Sequence, residues 1–241
     1  MRIAPVFHFS ARARVTVLAA AALAATMLCP PVATGAAPAA GDVYVYRVVN
    51  GYNHEVHGKI EYRVEQVAAD RIVMSVTTDM PAPGPARTEV YTSDGNWLRH
   101  PLINHDQPVD YEFAQPYPAY VFPLEPGKSW SVRVTALNPA NGQRNSVRVD
   151  GEVLGTERIV TPAGSFDTIK VRRRVYAGDW EAFRFETNIV ETDWYAPALG
   201  RPAKSESNSG YLNPSRCARG PCLPIRGDWN LFELVETRTL K

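Results

Sequence analysis

Much of this chain alternates apolar and polar side chains with a period of two residues, the pattern of a β-strand with one buried face. In residues 59–64, for example, Ile60, Tyr62 and Val64 would share one face. The same alternation occurs in six other segments, namely residues 43–49, 72–78, 130–136, 147–153, 183–189 and 230–237. No amphipathic helix of substantial length is visible. The pattern therefore predicts an all-β protein with few or no helices.

Glycine and proline residues divide these segments and predict antiparallel hairpins. Asn-Gly and Asp-Gly pairs tolerate the positive φ of tight hairpin turns. They occur at Asn50-Gly51, Asp94-Gly95, Asn141-Gly142 and Asp150-Gly151. Residues 80–86 and 101–118 lack the alternation and are predicted to be long loops, where functional residues often lie.

The first forty residues predict export. They contain three arginines and no acidic residue, and an apolar run covers residues 15–28. This is the layout of a cleaved signal peptide, and the run is shorter than the roughly twenty residues that span a bilayer. We therefore expect a signal peptide at residues 1–40 and one domain at residues 41–241. This domain would be periplasmic or secreted and would not be transmembrane after processing.

Processing also changes the charge. The chain has 26 basic and 25 acidic residues, so loss of three arginines leaves 23 basic residues and a net charge of about −2. This balance gives no electrostatic reason to expect nucleic acid as a partner.

Cys217 and Cys222 are the only cysteines after residue 40. In an oxidising compartment two thiols this close in sequence usually pair. A Cys-x4-Cys spacing without a second pair of ligands argues against zinc. We therefore predict a disulfide that closes a short C-terminal loop at residues 217–222.

One hairpin can be predicted at the level of side chains. If the chain turns near Asp179, a register in which paired residue numbers sum to 358 brings two apolar faces together. Arg173 then lies opposite Phe185, between Val171 and Val175 on the apolar face. A buried, unpaired guanidinium is costly, so Arg173 needs a partner.

Two partners for Arg173 are open. A ligand carboxylate or phosphate could bind the guanidinium through two hydrogen bonds. Alternatively, the stem packs on Phe185, and the guanidinium lies at the rim or pairs with Glu191 or Asp193. These two acids are two positions apart and would share a face, which also permits a carboxylate pair of the kind that hydrolyses glycosides. The alternative for these acids is ordinary surface charge on a strand.

Other motifs give no support for catalysis or a cofactor. Four histidines follow the signal segment, without metal-ligand spacing, and are predicted to be solvated loop residues: His54, His57, His100 and His105. Gly127-Lys128-Ser129 lacks the first glycine of a phosphate-binding loop and precedes a strand. We therefore expect no enzyme activity, no bound metal and no cofactor.

Aromatic residues cluster in two places and have two interpretations. Five lie in and just after the predicted loop 101–118, namely Tyr111, Phe113, Tyr117, Tyr120 and Phe122. Trp194 and Tyr195 form a second group. These residues could line the mouth of an apolar pocket or cap the end of the core. Together with Arg173 and Phe185, Trp194 and Tyr195 are the candidate ligand-binding residues.

Three segments together resemble a known group: PLEPGKSW at 123–130, PAGSFDTIK at 162–170 and WYAPALGRPAK at 194–204. The chain is similar here to the DUF-3108-like, or TapB-like, group of exported bacterial proteins of unknown function. The resemblance implies a single antiparallel, strongly curved sheet that forms an open or half β-barrel, similar to periplasmic lipoprotein carriers. It implies no established activity and no catalytic residues.

Three functions follow as hypotheses. The leading one is a non-catalytic envelope protein that binds a lipid or another apolar or amphipathic envelope component. The second is a docking module that uses an exposed strand edge or the 217–222 loop to bind another envelope protein. The third is an unrecognised hydrolase that uses Glu191 or Asp193.

Overall fold

The structure is a computed structural model that describes residues 38–80, 86–102, 109–179, 184–217 and 221–239, without the side chains of residues 216 and 217. Nearly all of the predicted signal peptide lies outside the described residues. The same is true of most of the predicted loop 80–86 and of His105.

Twelve strands account for most of the described chain. They are β1 Asp42–Asn50, β2 Val56–Val67, β3 Ile72–Thr78, β4 Arg87–Tyr91, β5 Trp97–Pro101, β6 Asp110–Tyr117, β7 Ser129–Leu137, β8 Arg144–Thr161, β9 Gly164–Gly178, β10 Phe185–Ala196, β11 Arg201–Leu212 and β12 Ile225–Thr239. Two short helical segments are a 3₁₀ turn at Pro197–Leu199 and an α-helix at Pro214–Cys217. Within the described ranges, no helix is long and apolar enough to cross a membrane. The prediction of an all-β chain with few helices is confirmed.

The strands form a closed antiparallel barrel in which each strand pairs with its neighbours in sequence. Closure comes from β1 and β12, which pair from Asp42 opposite Thr239 to Asn50 opposite Asn230. The antiparallel prediction is confirmed, but the expected open or half barrel is wrong. The expected exposed strand edge is wrong for the same reason, because each of the twelve described strands has two hydrogen-bonded neighbours.

Strand β6 lies inside the segment predicted to be a loop. Tyr111, Phe113 and Tyr117 on this strand are buried. Pro116 cannot donate a backbone hydrogen bond, so its presence argued against a strand in the sequence. It is tolerated because β6 pairs with β7 only through Glu112 and Phe113, away from the proline.

The turn predictions are confirmed for three of the four glycine pairs. Gly95 and Gly142 adopt φ of 78° and 72° in hairpin turns, and Gly51 follows the end of β1. The Asp150-Gly151 turn is wrong, because both residues lie within β8. Gly151 serves a packing purpose instead: a Cβ there would lie 2.1 Å from Cε2 of Trp130, whose indole covers the glycine.

Two larger hydrophobic clusters fill the barrel on either side of its interior. One is built from strands β5 to β10 and includes Trp97, Tyr117 and Val149. The other joins β1 to β3 with β12 and includes Tyr46 and Leu234. The space between these clusters contains the polar groups described below.

The hairpin of β8 and β9 extends past its neighbours and packs back against β12. The Ala163 N–H at its tip donates to the Leu234 carbonyl over 3.3 Å. Phe166 packs with the second cluster. The proline and glycine of the PAGSF segment thus make the predicted turn, with Gly164 at φ 137°.

The predicted register between β9 and β10 is wrong by six positions. Val175 pairs with Ile189 instead of residue 183, and Arg173 pairs with Glu191 instead of Phe185. Both registers keep the same side chains on the same face, so Arg173 still points inward. The apolar pattern fixed the face of each residue but not its partner.

The packing of Trp130 on Gly151 makes a stability prediction. Gly151→Ala forces the indole to move from a position in which its Nε1 donates to the Pro118 carbonyl at 3.1 Å. We expect a loss of about 1–3 kcal/mol in the free energy of unfolding, measured with urea. Gly210→Ala is the matched control, because its added Cβ meets only an ordinary contact of 3.5 Å. Equal effects of the two substitutions would contradict this packing role.

Candidate functional site

A cavity of about 150 Å³ lies between the two hydrophobic clusters. Its wall combines apolar and aromatic side chains with charged groups. The apolar part includes Ile72, Met74, Trp97, Leu102 and Phe232. The polar part includes Arg173, Glu191, Asp193, Arg201, Ser205 and Ser207, with His100 nearby on the same wall.

Arg173 is the centre of a buried ion cluster on this wall, and only 2% of its side chain is exposed. Its Nε donates to Glu191 Oε2 at 2.9 Å, and a terminal nitrogen lies 2.8 Å from Asp193 Oδ2. The other terminal nitrogen donates to the Ala119 carbonyl at 3.1 Å. The expected pairing of Arg173 with Glu191 or Asp193 is therefore confirmed, and both acids take part.

Two tyrosines complete the cluster. Tyr117 donates its hydroxyl proton to Glu191 over 3.0 Å, and Tyr120 donates to Asp193 over 2.7 Å. Burial raises the pKa of both tyrosines well above its usual value, and the neighbouring carboxylate charges add to this effect. Burial alone would lower the pKa of Arg173, but Asp193 and Glu191 hold it well above the usual value. Arg173 therefore keeps its charge, with two carboxyl groups in direct contact.

A second ion cluster surrounds Glu89, which is completely buried on β4. The carboxylate accepts a hydrogen bond from Arg87 at 2.8 Å and a short one from the Tyr91 hydroxyl. His100 Nε2 lies 3.4 Å from the same carboxylate. Burial would raise the pKa of Glu89, but the charges of His100 and Arg87 and the Tyr91 hydrogen bond hold it below its usual value.

An aromatic stack connects the Arg173 ion cluster with the Glu89 ion cluster. The Trp97 ring lies between His100, with ring centres 3.8 Å apart, and Tyr117, with ring centres 4.0 Å apart. His100 Nδ1 lies 2.6 Å from the Pro101 carbonyl, which can only accept, so Nδ1 carries a proton. The stack fixes the ring of His100 beside Glu89.

Arg201 lies at the start of β11, where the 3₁₀ turn and Gly200 redirect the chain. Gly200 adopts the left-handed conformation at φ 63°. The guanidinium lies over the rings of Tyr44, Tyr46 and Tyr62 at 4.4, 5.1 and 4.8 Å. This arrangement is a cation held by the faces of three aromatic rings.

The predicted ligand-binding residues do not all meet at the cavity. Arg173 is on its wall. Tyr195 points inward but packs on Tyr120, with ring centres 4.9 Å apart, beside the partly exposed Phe122. Trp194 lies on the opposite face of β10, where Lys170 and Lys204 contact its ring. Phe185 lies at the far end of β10, outside the cavity lining.

The remaining sequence predictions have mixed outcomes. Of the five aromatic residues near the predicted loop, four are buried and Phe122 is 42% exposed. His54 lies in the β1–β2 turn, as expected. The loop prediction is wrong for His57, an exposed residue of strand β2, and for His100, a partly buried interior residue. The side chain of Cys217 lies outside the described residues, so the Cys217–Cys222 disulfide and a docking role for its loop stay predictions.

Sequence reasoning missed Arg201 and the Glu89 cluster. Arg87, Glu89 and Tyr91 are spaced by two, so they share one face of a strand, and this signal was present in the sequence. Arg201 had no comparable signal. Pro197, Gly200 and Pro202 surround it and interrupt the alternation that indicates a strand.

The Arg173 cluster predicts a large difference between two neighbouring arginines. Arg173→Met leaves Glu191 and Asp193 buried without their cation, so the free energy of unfolding should fall by about 3–5 kcal/mol. Arg172→Met is the matched control, because Arg172 faces outward, is 37% exposed and pairs with Glu152. Its loss should stay below about 1 kcal/mol in the same urea titration. A loss of similar size in both variants would contradict the role of the buried cluster.

The Glu89 cluster predicts a specific pH dependence. The pKa of Glu89 is lowered in the folded protein, so its contribution is complete above the unfolded value near 4.5 and disappears as the pH falls through the folded value. Glu89→Gln should cost about 3 kcal/mol at pH 7. The difference from the unsubstituted protein should narrow in urea titrations at successively lower pH below 4.5. A constant difference across this range would disprove the assignment.

Comparison with known proteins identifies a similar fold but no family. No family model matches the chain, and no curated protein matches it either. A Bacteroides fragilis structure described as an exported protein with a YmcC-like fold is 19% identical, with a TM-score of 0.51, and the match covers 83% of this chain and 97% of that chain. A lipoprotein structure from Parabacteroides distasonis is 15% identical, with a TM-score of 0.49 and coverage of 83% and 96%. The hypothetical lipoprotein YmcC from Escherichia coli is 10% identical, with a TM-score of 0.41 and coverage of 83% and 85%. The Bacteroides fragilis match assigns a YmcC-like fold, and membership of the DUF-3108-like group stays a prediction.

Proposed function

We propose that this protein is an exported, non-catalytic envelope protein that binds a small amphipathic ligand, or one end of a longer one, inside its barrel. The cavity is the observation that carries the proposal. Protein interiors are normally close-packed, with few voids larger than a water molecule. A cavity of about 150 Å³ with both apolar and ionic walls is therefore a candidate site for a small ligand.

The size and lining of the cavity limit the class of ligand. An engineered apolar cavity of about 150 Å³ binds benzene. A whole lipid would need several times this volume, so only a small molecule or the end of a chain fits. Ile72, Met74 and Phe232 would contact an apolar body, while the ion clusters would contact a polar group. An amphipathic ligand satisfies both parts of the wall.

Two observations support the location of this activity in the envelope. The amino-terminal sequence has the layout of a signal peptide. The Bacteroides fragilis protein with a similar fold is described as exported. Export could end in the periplasm or outside the cell, and a ligand carrier is compatible with both.

The proposal is tested by filling the cavity. Ser207 lines it, and Ser207→Leu places an apolar side chain in the space a ligand would take. Asn208→Leu is the matched control, because Asn208 is the next residue and pairs with Val190 on the outer face. Protein recovered from the periplasm is analysed by native mass spectrometry, before and after addition of short fatty acids and lysophospholipids.

We expect the unsubstituted protein and Asn208→Leu to carry or take up a small amphiphile. Ser207→Leu should fold, as judged by its melting temperature, and should show no mass shift. If the unsubstituted protein has an apo mass and binds none of these amphiphiles, the proposed function is wrong. Equal uptake by Ser207→Leu would place the ligand outside the cavity and would also contradict the proposal.

A further inference from the structure

Arg201 differs from the other arginines of the barrel interior in its partners. Arg87 pairs with Glu89, and Arg173 pairs with Glu191 and Asp193. Among the residues that the structure describes, no carboxylate lies within 4.0 Å of Arg201. A partly buried cation with no carboxylate in direct contact is poorly compensated, so its position on the cavity wall favours an occupant with an anionic group.

The hydrogen bonds of Arg201 leave most of its donors available. Nε donates to the Tyr46 hydroxyl at 2.8 Å, and Nη1 approaches the Met74 sulfur, a weak acceptor, at 3.5 Å. The Tyr46 hydroxyl in turn donates to the Pro202 carbonyl at 2.6 Å, which fixes it as an acceptor for Arg201. A guanidinium has five N–H groups, so the remaining donors have no acceptor among the described protein atoms.

The tyrosines around Arg201 orient it without neutralising it. Burial raises the pKa of Tyr44 to about 12, so this ring is uncharged at physiological pH. Burial also raises the pKa of Tyr46 and Tyr62 above the usual value. The three ring faces hold the guanidinium plane through cation–π contacts. Arg201 is thus a fixed, fully charged fork, the geometry that binds a carboxylate through two parallel hydrogen bonds.

The rest of the wall restricts the charge of the occupant. Glu191 and Asp193 share one cation, Arg173, so the cavity wall has more carboxyl groups than Arg173 can pair with singly. A ligand with a single negative charge would neutralise Arg201. A dianion, such as a phosphate monoester, would add like-charge repulsion from the carboxylates. Ile72 and Phe232 leave room for a short apolar body next to the charge.

We propose that Arg201 binds the carboxylate of a small monocarboxylic acid whose apolar part occupies the barrel cavity. This inference rests on the proposed function and specifies its ligand class. The N–H groups of Arg201 would bind the carboxylate, and the apolar wall of the cavity would contact the other end of the same molecule. Either a free short-chain acid or the carboxyl end of a longer molecule would present this chemistry.

The test compares two probes of the same shape, hexanoate and its uncharged counterpart hexanamide. Their dissociation constants are measured by titration calorimetry with the full processed protein, in a buffer without phosphate or carboxylate. A charge-assisted pair of hydrogen bonds should make hexanoate bind about 10-fold to 100-fold more tightly than hexanamide. Butyl phosphate, a dianion near neutral pH, should bind more weakly than hexanoate.

Substitutions assign this preference to Arg201. Arg201→Gln should reduce the ratio of the two dissociation constants to about one, and Arg201→Lys should leave an intermediate ratio because it keeps the charge but loses the fork. Arg172→Gln, which removes an outward-facing guanidinium, should leave the ratio unchanged. If Arg201→Gln does not fold, the intermediate ratio of Arg201→Lys is the deciding result.

The outcomes separate this inference from the proposed function. If both probes bind equally to the unsubstituted protein, and Ser207→Leu abolishes their binding, the cavity binds ligands but the role of Arg201 is wrong. An unchanged preference for hexanoate in Arg201→Gln and Arg201→Lys would also overturn it. If butyl phosphate binds more tightly than hexanoate, the assignment to a monocarboxylate is wrong. If neither probe binds and no amphiphile is taken up, both proposals fail.

Discussion

Hydrogen bonding between the first and last strands is the constraint on which the interior of this protein depends. Once β1 pairs with β12, the interior width follows from the number of strands, and about eight strands already enclose a space that side chains just fill. Twelve strands enclose more. Valine and alanine cannot fill that width, so tyrosine, tryptophan and arginine extend inward from the wall. The polar ends of these long side chains then meet inside the barrel, where they need partners.

The partners of these long side chains differ from one part of the interior to another. Arg173 and Glu89 each belong to a cluster in which tyrosine hydroxyls and opposite charges contact the buried carboxylates. Such clusters contribute little net stability compared with apolar packing, but they are destabilised strongly when one member is lost. Arg201 belongs to neither cluster. The same wall therefore contains ions that contact each other directly and one ion, Arg201, that contacts no carboxylate among the described residues.

The alternation of side chains predicted the all-β class and most strands, and it failed where the interior is polar. Strand β11 was missed because its cavity-facing residues, Ser205 and Ser207, are small and polar. Strand β4 was missed because Arg87 and Glu89 occupy inward positions that usually hold apolar residues. Arg173 was placed on the correct face, since both of its neighbours on that face are valines. Closure could not be predicted, because it depends on these missed strands and on pairing between the two ends of the chain.

The ion cluster at Arg173 also has a consequence for how the chain finds its fold. Sliding β9 along β10 by an even number of residues keeps every side chain on its own face. Several registers would therefore bury the same apolar side chains. In the register that places Arg173 opposite Phe185, Glu191 would lie about 20 Å away along the strand. The observed register places Glu191 directly opposite Arg173. The contacts of Arg173 with Glu191 and Asp193 therefore favour one register of β9 and β10 among several that bury the same apolar side chains.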